Sequence, residues 1–147
     1  MKSSDVPEAF SNIPVLEYEL TEALEGPPVR RRKVALVTTA GLMHRGDRAF
    51  SMDSFDYRII DSQDERELVM SHVSVNFDRT GFAWNYNVVF PIDRLKEKVA
   101  AEEIGALSRY HYSFMGAISP EKLRPAAEQL SKNLLAEGID AVILVPI

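Results

Sequence analysis

The chain has 147 residues, 46% of them hydrophobic and 27% charged, with 17 basic against 22 acidic side chains and a formal net charge of −5. This is the composition of an ordinary single-domain globular protein, and the acidic balance excludes nonspecific binding to nucleic acid, which needs a clustered excess of Lys and Arg. Cysteine is absent, which removes disulfides, thiolate nucleophiles and Cys-ligated metal together.

Residues 1–29 carry Pro7, Pro14, Pro27 and Pro28 with little sustained periodicity, which predicts an extended amino-terminal arm ending in the Gly26-Pro27-Pro28 breaker. Asp5 and Glu8 and the lack of an apolar run argue against a secretory or transit peptide, and no stretch approaches the ~20 apolar residues of a membrane span. A cytoplasmic protein is expected. The domain, 30–147, opens with Arg30-Arg31-Arg32-Lys33, read as a solvated or salt-bridged strand entrance ahead of an anionic-ligand patch. Residues 34–39 form a first strand, and Ala40-Gly41-Leu42 turns the chain away from it. A second strand is predicted at 57–60, and a short third strand or structured loop at 68–77.

Pro91 suits the first position of a helix on which Ile92, Leu95 and Val99 share a face until Gly105 ends it. A strand over 110–118 follows. Ser119 then reads as an N-cap with Pro120 at the first helical position, Leu123, Ala127, Leu130 and Leu134 as the core-facing stripe, and Gly138 as the left-handed C-cap. Pro125 deletes a helical hydrogen bond at a cost of about 3 kcal/mol, which predicts a late start or a kink. Residues 141–145 are a continuous apolar run, expected to be a strand covered by helices on both faces. The closing strand–helix–strand order is a right-handed βαβ unit. The predicted class is therefore α/β: a single domain of three layers with a mostly parallel doubly wound sheet, flavodoxin-like or Rossmann-like.

Such sheets gather ligands beyond the carboxyl ends of their strands. The turn holding Thr39 and Gly41 can offer amides and hydroxyls to a carboxylate or phosphate, or be a plain strand exit; it lacks the G-x-G-x-x-G and P-loop patterns. His44, His72 and His111 each lie beside a predicted strand end. With Asp78 they admit three readings: a metal or acid–base set, polar pocket histidines, or structural hydrogen-bonding histidines. No metal-ligand spacing is present. Two polar-aromatic clusters, at 71–82 with Asp78 and Arg79 and at 110–116 with His111, Tyr112 and Ser113, combine the groups a small zwitterionic substrate needs, or make a buried polar network. Trp84, Tyr86 and Phe90 read as core ahead of an interface patch.

Four segments then combine into a resemblance. Val34-Ala35-Leu36-Val37-Thr38-Thr39-Ala40-Gly41, Ser71-His72 with Asp78-Arg79-Thr80-Gly81, Val89-Phe90-Pro91-Ile92-Asp93-Arg94-Leu95, and His111-Tyr112-Ser113-Phe114-Met115-Gly116 together resemble the glycine/sarcosine/betaine reductase selenoprotein B and D-proline reductase family. The resemblance implies a selenocysteine or cysteine directly after the last strand, following Ile147, in a U/C-x-x-C arrangement. It implies a partner subunit whose pyruvoyl group binds the amino acid as a Schiff base, while the selenol or thiolate cleaves the α C–N bond reductively. It also implies that His72, Asp78, Arg79 and His111 line the substrate side. No cofactor is expected in this chain. The chain lacks the nucleophile itself, and the expectation is a domain cut short at its carboxyl end by a UGA codon read as a stop. Two other readings stand beside this one: a Cys-free, non-catalytic ligand-binding or scaffold subunit, and an acid–base or metal enzyme using His72, Asp78 and His111. A partner chain or self-association is expected to cover the exposed sheet edge.

Overall fold

Val34, Ala35, Leu36 and Val37 are apolar at every position, a pattern that suits a strand buried on both faces, and in the computed structural model, which describes residues 24–75 and 78–147, all four are buried. This strand, β1 (Lys33–Thr38), is the centre of a five-stranded sheet. Along one edge β7 (Ala141–Val145) pairs with it in parallel, from Val34 opposite Ala141 to Thr38 opposite Val145. Along the other lie β5 (Ala106–Leu107) and then β6 (Tyr110–Ser113), both parallel. β3 (Arg58–Asp61) joins the far side of β6 antiparallel, with Ile60 opposite His111. A separate antiparallel ribbon pairs β2 (Leu42–His44) with β4 (Leu68–Met70).

Two layers of helix sandwich the sheet. On one face α2 (Ile92–Ala100) buries Ile92 and Leu95 against Val34, Leu36, Ile60 and Phe90. The short α1 (Thr80–Trp84) and a 3-10 turn over Tyr86–Val88 lead into it. On the other face α3 (Pro120–Ala136) sets Leu130 and Leu134 on Ala35, Val37, Tyr112 and Phe114, each burial stabilising by roughly 1.5–3 kcal/mol. The three-layer, mostly parallel α/β class is as the sequence predicts.

The end of α3 follows its sequence closely. Gly138 has φ 67°, Ile139 N–H donates to Leu134 O at 3.0 Å and Gly138 N–H to Leu135 O at 3.1 Å, a Schellman closure. At the start, the Ser119 hydroxyl bonds the Glu121 carboxylate and caps no backbone N–H. The helix opens at Pro120 with Pro125 inside it, so the expected late start does not occur. The bond Pro125 cannot make would run back to Glu121, in a turn already rich in unbonded N–H groups.

Other expectations are corrected. α2 begins after Pro91 and ends at Ala100, where Glu102 turns the chain with φ 58°, five residues short of Gly105. Gly105 instead serves close approach, since an added Cβ would lie 2.7 Å from Arg31 C and 2.8 Å from Arg32 O. The strand predicted over 110–118 stops at Ser113, with only a bridge from Ala40 to Met115 beyond it. Leu42 opens a strand where a simple turn was expected. β7 lacks a second cover: α3 lies over β1 and β6, leaving Leu144 71% exposed. Trp84, read as core, is 87% exposed. The predicted arm lies, through residue 23, outside the described residues. No described helix is long and apolar enough to cross a membrane.

Candidate functional site

Candidate side chains gather in two places. The first is the carboxyl edge of β1. Gly41, with φ 64°, lets the chain pass the backbone of His72 so closely that an added Cβ would sit 3.0 Å from His72 N and Cα. The ribbon is pinned there by Gly41 N–H to Phe114 O at 2.9 Å and Ser71 N–H to Gly41 O at 2.8 Å. The Thr39 hydroxyl accepts from Ile147 N–H at 2.8 Å and lies 3.2 Å from Ile147 O. Gly116 packs in the same corner, its absent Cβ leaving room for Ile147 O and Thr39 O.

His72 is buried beside this corner, and its Nδ1 accepts from Ser74 N–H at 3.3 Å. Burial first, and the Arg79 charge second, hold its pKa below the usual imidazole range. Arg79 donates to the carbonyls of His72 and Ser74, both at 2.6 Å. The Asp78 carboxylate accepts from Thr80 N–H at 2.9 Å, and its hydrogen bonds to Thr80 keep its pKa low.

The second place is a lateral cleft of about 950 Å³ between the β2–β4 ribbon and the α1–α2 segment, with His44, Arg79, Tyr86, Phe90 and His111 in its wall. Every carboxylate lining it is engaged. Asp61 pairs with Arg109 at 2.7 Å, Asp64 with Arg66 at 2.6 Å and Glu67 with Arg45 at 2.8 Å. Asp93 accepts from Tyr86 Oη at 2.7 Å and Asn87 Nδ2 at 2.9 Å. Burial and Asp93 push the Tyr86 hydroxyl up to about 12.

The two histidines of the cleft have different partners. His44 Nδ1 lies 3.2 Å from Arg66 O, and its Nε2 lies 3.9 Å from Asp64 Oδ2. His111 Nδ1 accepts from Leu36 N–H at 3.0 Å, so its proton is on Nε2. Burial, then the Lys96 charge, hold His111 down to about 4, so it is neutral at physiological pH. Among the described residues neither buried Nε2 atom meets a hydrogen-bond partner.

The position of His111 follows from a register mismatch. From Val34 to Val37, three steps along β1, the partner strand advances five, from Leu107 to Tyr112. The two extra residues break the ladder, and the His111 ring supplies the acceptor that Leu36 N–H would otherwise lack.

Thr39, Gly41 and His72 thus share the edge, while His44, Arg79 and His111 share the cleft, and Arg79 links the two through the His72 carbonyl. Tyr112 faces α3, its hydroxyl donating to Glu137 at 3.1 Å, and Ser113 Oγ accepts from Leu42 N–H at 2.7 Å. Among the described residues no group of three His, Asp or Glu could hold a metal ion. Sequence reading passed over Asn87 and Asp93 in the cleft; the Asn85-x-Asn87 turn before Pro91, where Asn85 Oδ1 accepts from Asn87 N–H at 2.9 Å, was the available signal.

The family model for glycine/sarcosine/betaine reductase selenoprotein B matches residues 17–146. The chain is 28% identical to D-proline reductase subunit gamma of Acetoanaerobium sticklandii, over 88% of the chain and 57% of that protein. It is 32% identical to glycine reductase complex component B subunit gamma of Peptoclostridium acidaminophilum, over 78% of the chain and 27% of that protein. The alignments therefore span 57% and 27% of the lengths of these relatives. No solved structure matches the chain.

Proposed function

The chain belongs to the glycine/sarcosine/betaine reductase selenoprotein B family, and from that premise we propose that it forms the α/β framework of a reductase-complex subunit acting on glycine, sarcosine, betaine or a D-proline-like amino acid. The observation that carries the reading is the corner at the carboxyl edge, where the Thr39 hydroxyl and Gly116 close on Ile147 beside Gly41 and His72. A residue after Ile147 would leave the sheet from this corner, and this reading puts a selenocysteine or cysteine at that position. A selenol or thiolate there would supply the nucleophile for the α carbon, and a pyruvoyl group on a partner subunit would hold the amino acid. This chain's residues supply position and field: Thr39 orients the chain at Ile147, and the Arg79 guanidinium, bonded to the His72 carbonyl, puts a cation near the edge, where it favours a substrate carboxylate or a deprotonated chalcogen. The five methionines have no ionisable proton and cannot take the nucleophile's place.

The reading is tested by sequencing the gene past the Ile147 codon and weighing the native protein. A UGA or cysteine codon followed in frame by a C-x-x-C-like segment, with a mass above 16.5 kDa, is expected. A true stop and a native mass equal to that of the 147 residues would withdraw the reductase chemistry and leave a Cys-free binding subunit.

A further inference from the structure

β7 is an edge strand: its partner in the sheet is β1, and among the described residues no strand pairs with its outer side. Val145 O accepts from Thr39 N–H at 3.2 Å. By the alternation of an extended strand, Ala141 and Ile143 therefore also turn their backbone groups to β1, while those of Val142 and Leu144 point outward. The run Ala141–Val145 holds no charge and no proline. The opposite edge, β3, carries Arg58 paired with Asp56 and Asp61 paired with Arg109, the kind of charge that keeps an edge from pairing with another chain. Ile147 bends inward to the Thr39 hydroxyl and leaves the outer side of β7 open. On the α3 face β7 floors an apolar groove of about 400 Å³, in which Leu135 is 73% and Leu144 71% exposed.

We propose that β7 is the contact strand of a two-fold homodimer, in which two copies pair antiparallel about Ile143 and join their sheets into one. The outward groups set the register. With Ile143 opposite itself, Val142 of each copy exchanges both backbone hydrogen bonds with Leu144 of the other, and the same two side chains meet in the groove beside α3. Pro146, which has no N–H, closes the ladder. The occupant is a second copy because the strand is its own complement, as a two-fold interface requires: valine faces leucine twice, isoleucine faces itself, and no charge faces a like charge. The groove agrees. Asp140 is the one charged residue in its wall, and that carboxylate already accepts from Lys33 N–H at 2.8 Å, so copies of net charge −5 meet where their charge is least. An edge of five residues, roughly 17 Å long, buries less than the ~1,200 Å² at which standard interfaces begin. The dimer is therefore expected to be weak and to dissociate in the micromolar range. The inference rests on the edge of β7 and makes no use of the reductase reading.

The test is sedimentation velocity of the intact protein across the micromolar range, with amide hydrogen exchange at the two ends of that range. A monomer–dimer equilibrium is expected, with the Val142 and Leu144 amides protected at high concentration and released on dilution. Leu144→Lys, at a site 71% exposed, leaves the fold intact and should weaken association about tenfold or more, a lysine being a guard of sheet edges. Adding Val142→Glu to it sets glutamate opposite lysine twice in this register and should restore the dimer in a salt-sensitive way. The exchange comparison needs no variant and carries the test even where one does not fold. A monomer at every concentration, with those amides either exposed throughout or already covered by another segment, would overturn the proposal. So would a dimer indifferent to Leu144→Lys, or a loss that Val142→Glu does not repair.

Discussion

Replacing His111 separates its service to the sheet from its bulk. In His111→Leu the ring volume is largely refilled but Leu36 N–H loses its acceptor in a fully buried position, a loss of about 1–3 kcal/mol. His111→Ala adds a cavity beside Phe90, whose ring lies 5.8 Å away edge-on, and should lose about 3–5 kcal/mol. The pH dependence is the sharper readout. The unfolded chain takes up a proton near the ordinary imidazole value of 6.5, whereas the folded imidazole resists until about 4. Between those values the unfolded state binds more protons, so stability falls as pH drops through the window and is intact above it. From the two values, moving from pH 7 to pH 5 should cost about 2 kcal/mol. Urea denaturation of wild type and His111→Leu at both pH values measures this. His72 contributes in the same direction in both proteins, its pKa also being lowered by burial, so the comparison cancels it. An equal pH 7 to 5 loss in wild type and His111→Leu would refute the assignment of a neutral, ladder-bonded His111.

Gly41→Ala and Gly138→Ala form an informative pair. Both sites have positive φ, 64° and 67°, but only Gly41 has a neighbour within 4 Å of the new methyl. Gly138→Ala should cost about 1 kcal/mol and Gly41→Ala up to about 3 kcal/mol in urea unfolding; equal losses would mean that contact with the His72 backbone is not limiting. Ser113→Ala strips the 2.7 Å acceptor from Leu42 N–H and should destabilise by about 1–3 kcal/mol. Hydrogen exchange at the Leu42 amide should then accelerate ahead of its neighbours, and unchanged protection there would contradict the role given to Ser113.

What could be read from the sequence was local. The apolar run from Val34 to Val37, the Ser119-Pro120 start and the Gly138 stop each have their cause within a few residues, and each reappears in the structure. The run at 141–145 announced a strand but not its cover, because an apolar side chain carries no record of whether the helix that ends at Ala136, just before it, lies over it or over its neighbour. His111 was noticed for its chemistry, yet its place depends on a two-residue mismatch between strands far apart in sequence. The division of the candidates between an edge and a cleft was hidden for the same reason. Thr39 and Gly41 stand two apart in the chain and share one corner, whereas neighbours Tyr112 and His111 point to opposite faces of the sheet, toward α3 and toward the α2 side.

The pairing of β1 with β7 sets the order in which this domain can mature. Thr38 and Val145 are hydrogen-bonded neighbours separated by 107 positions. Loop closure over that distance must come before the contacts that reward it, which slows folding. During synthesis the central strand therefore waits with one edge unsatisfied until β7 has cleared the ribosome. Through that interval Leu36 and its neighbours are exposed to wrong pairing, and a chaperone that shields an unfinished sheet would raise the yield of folded protein.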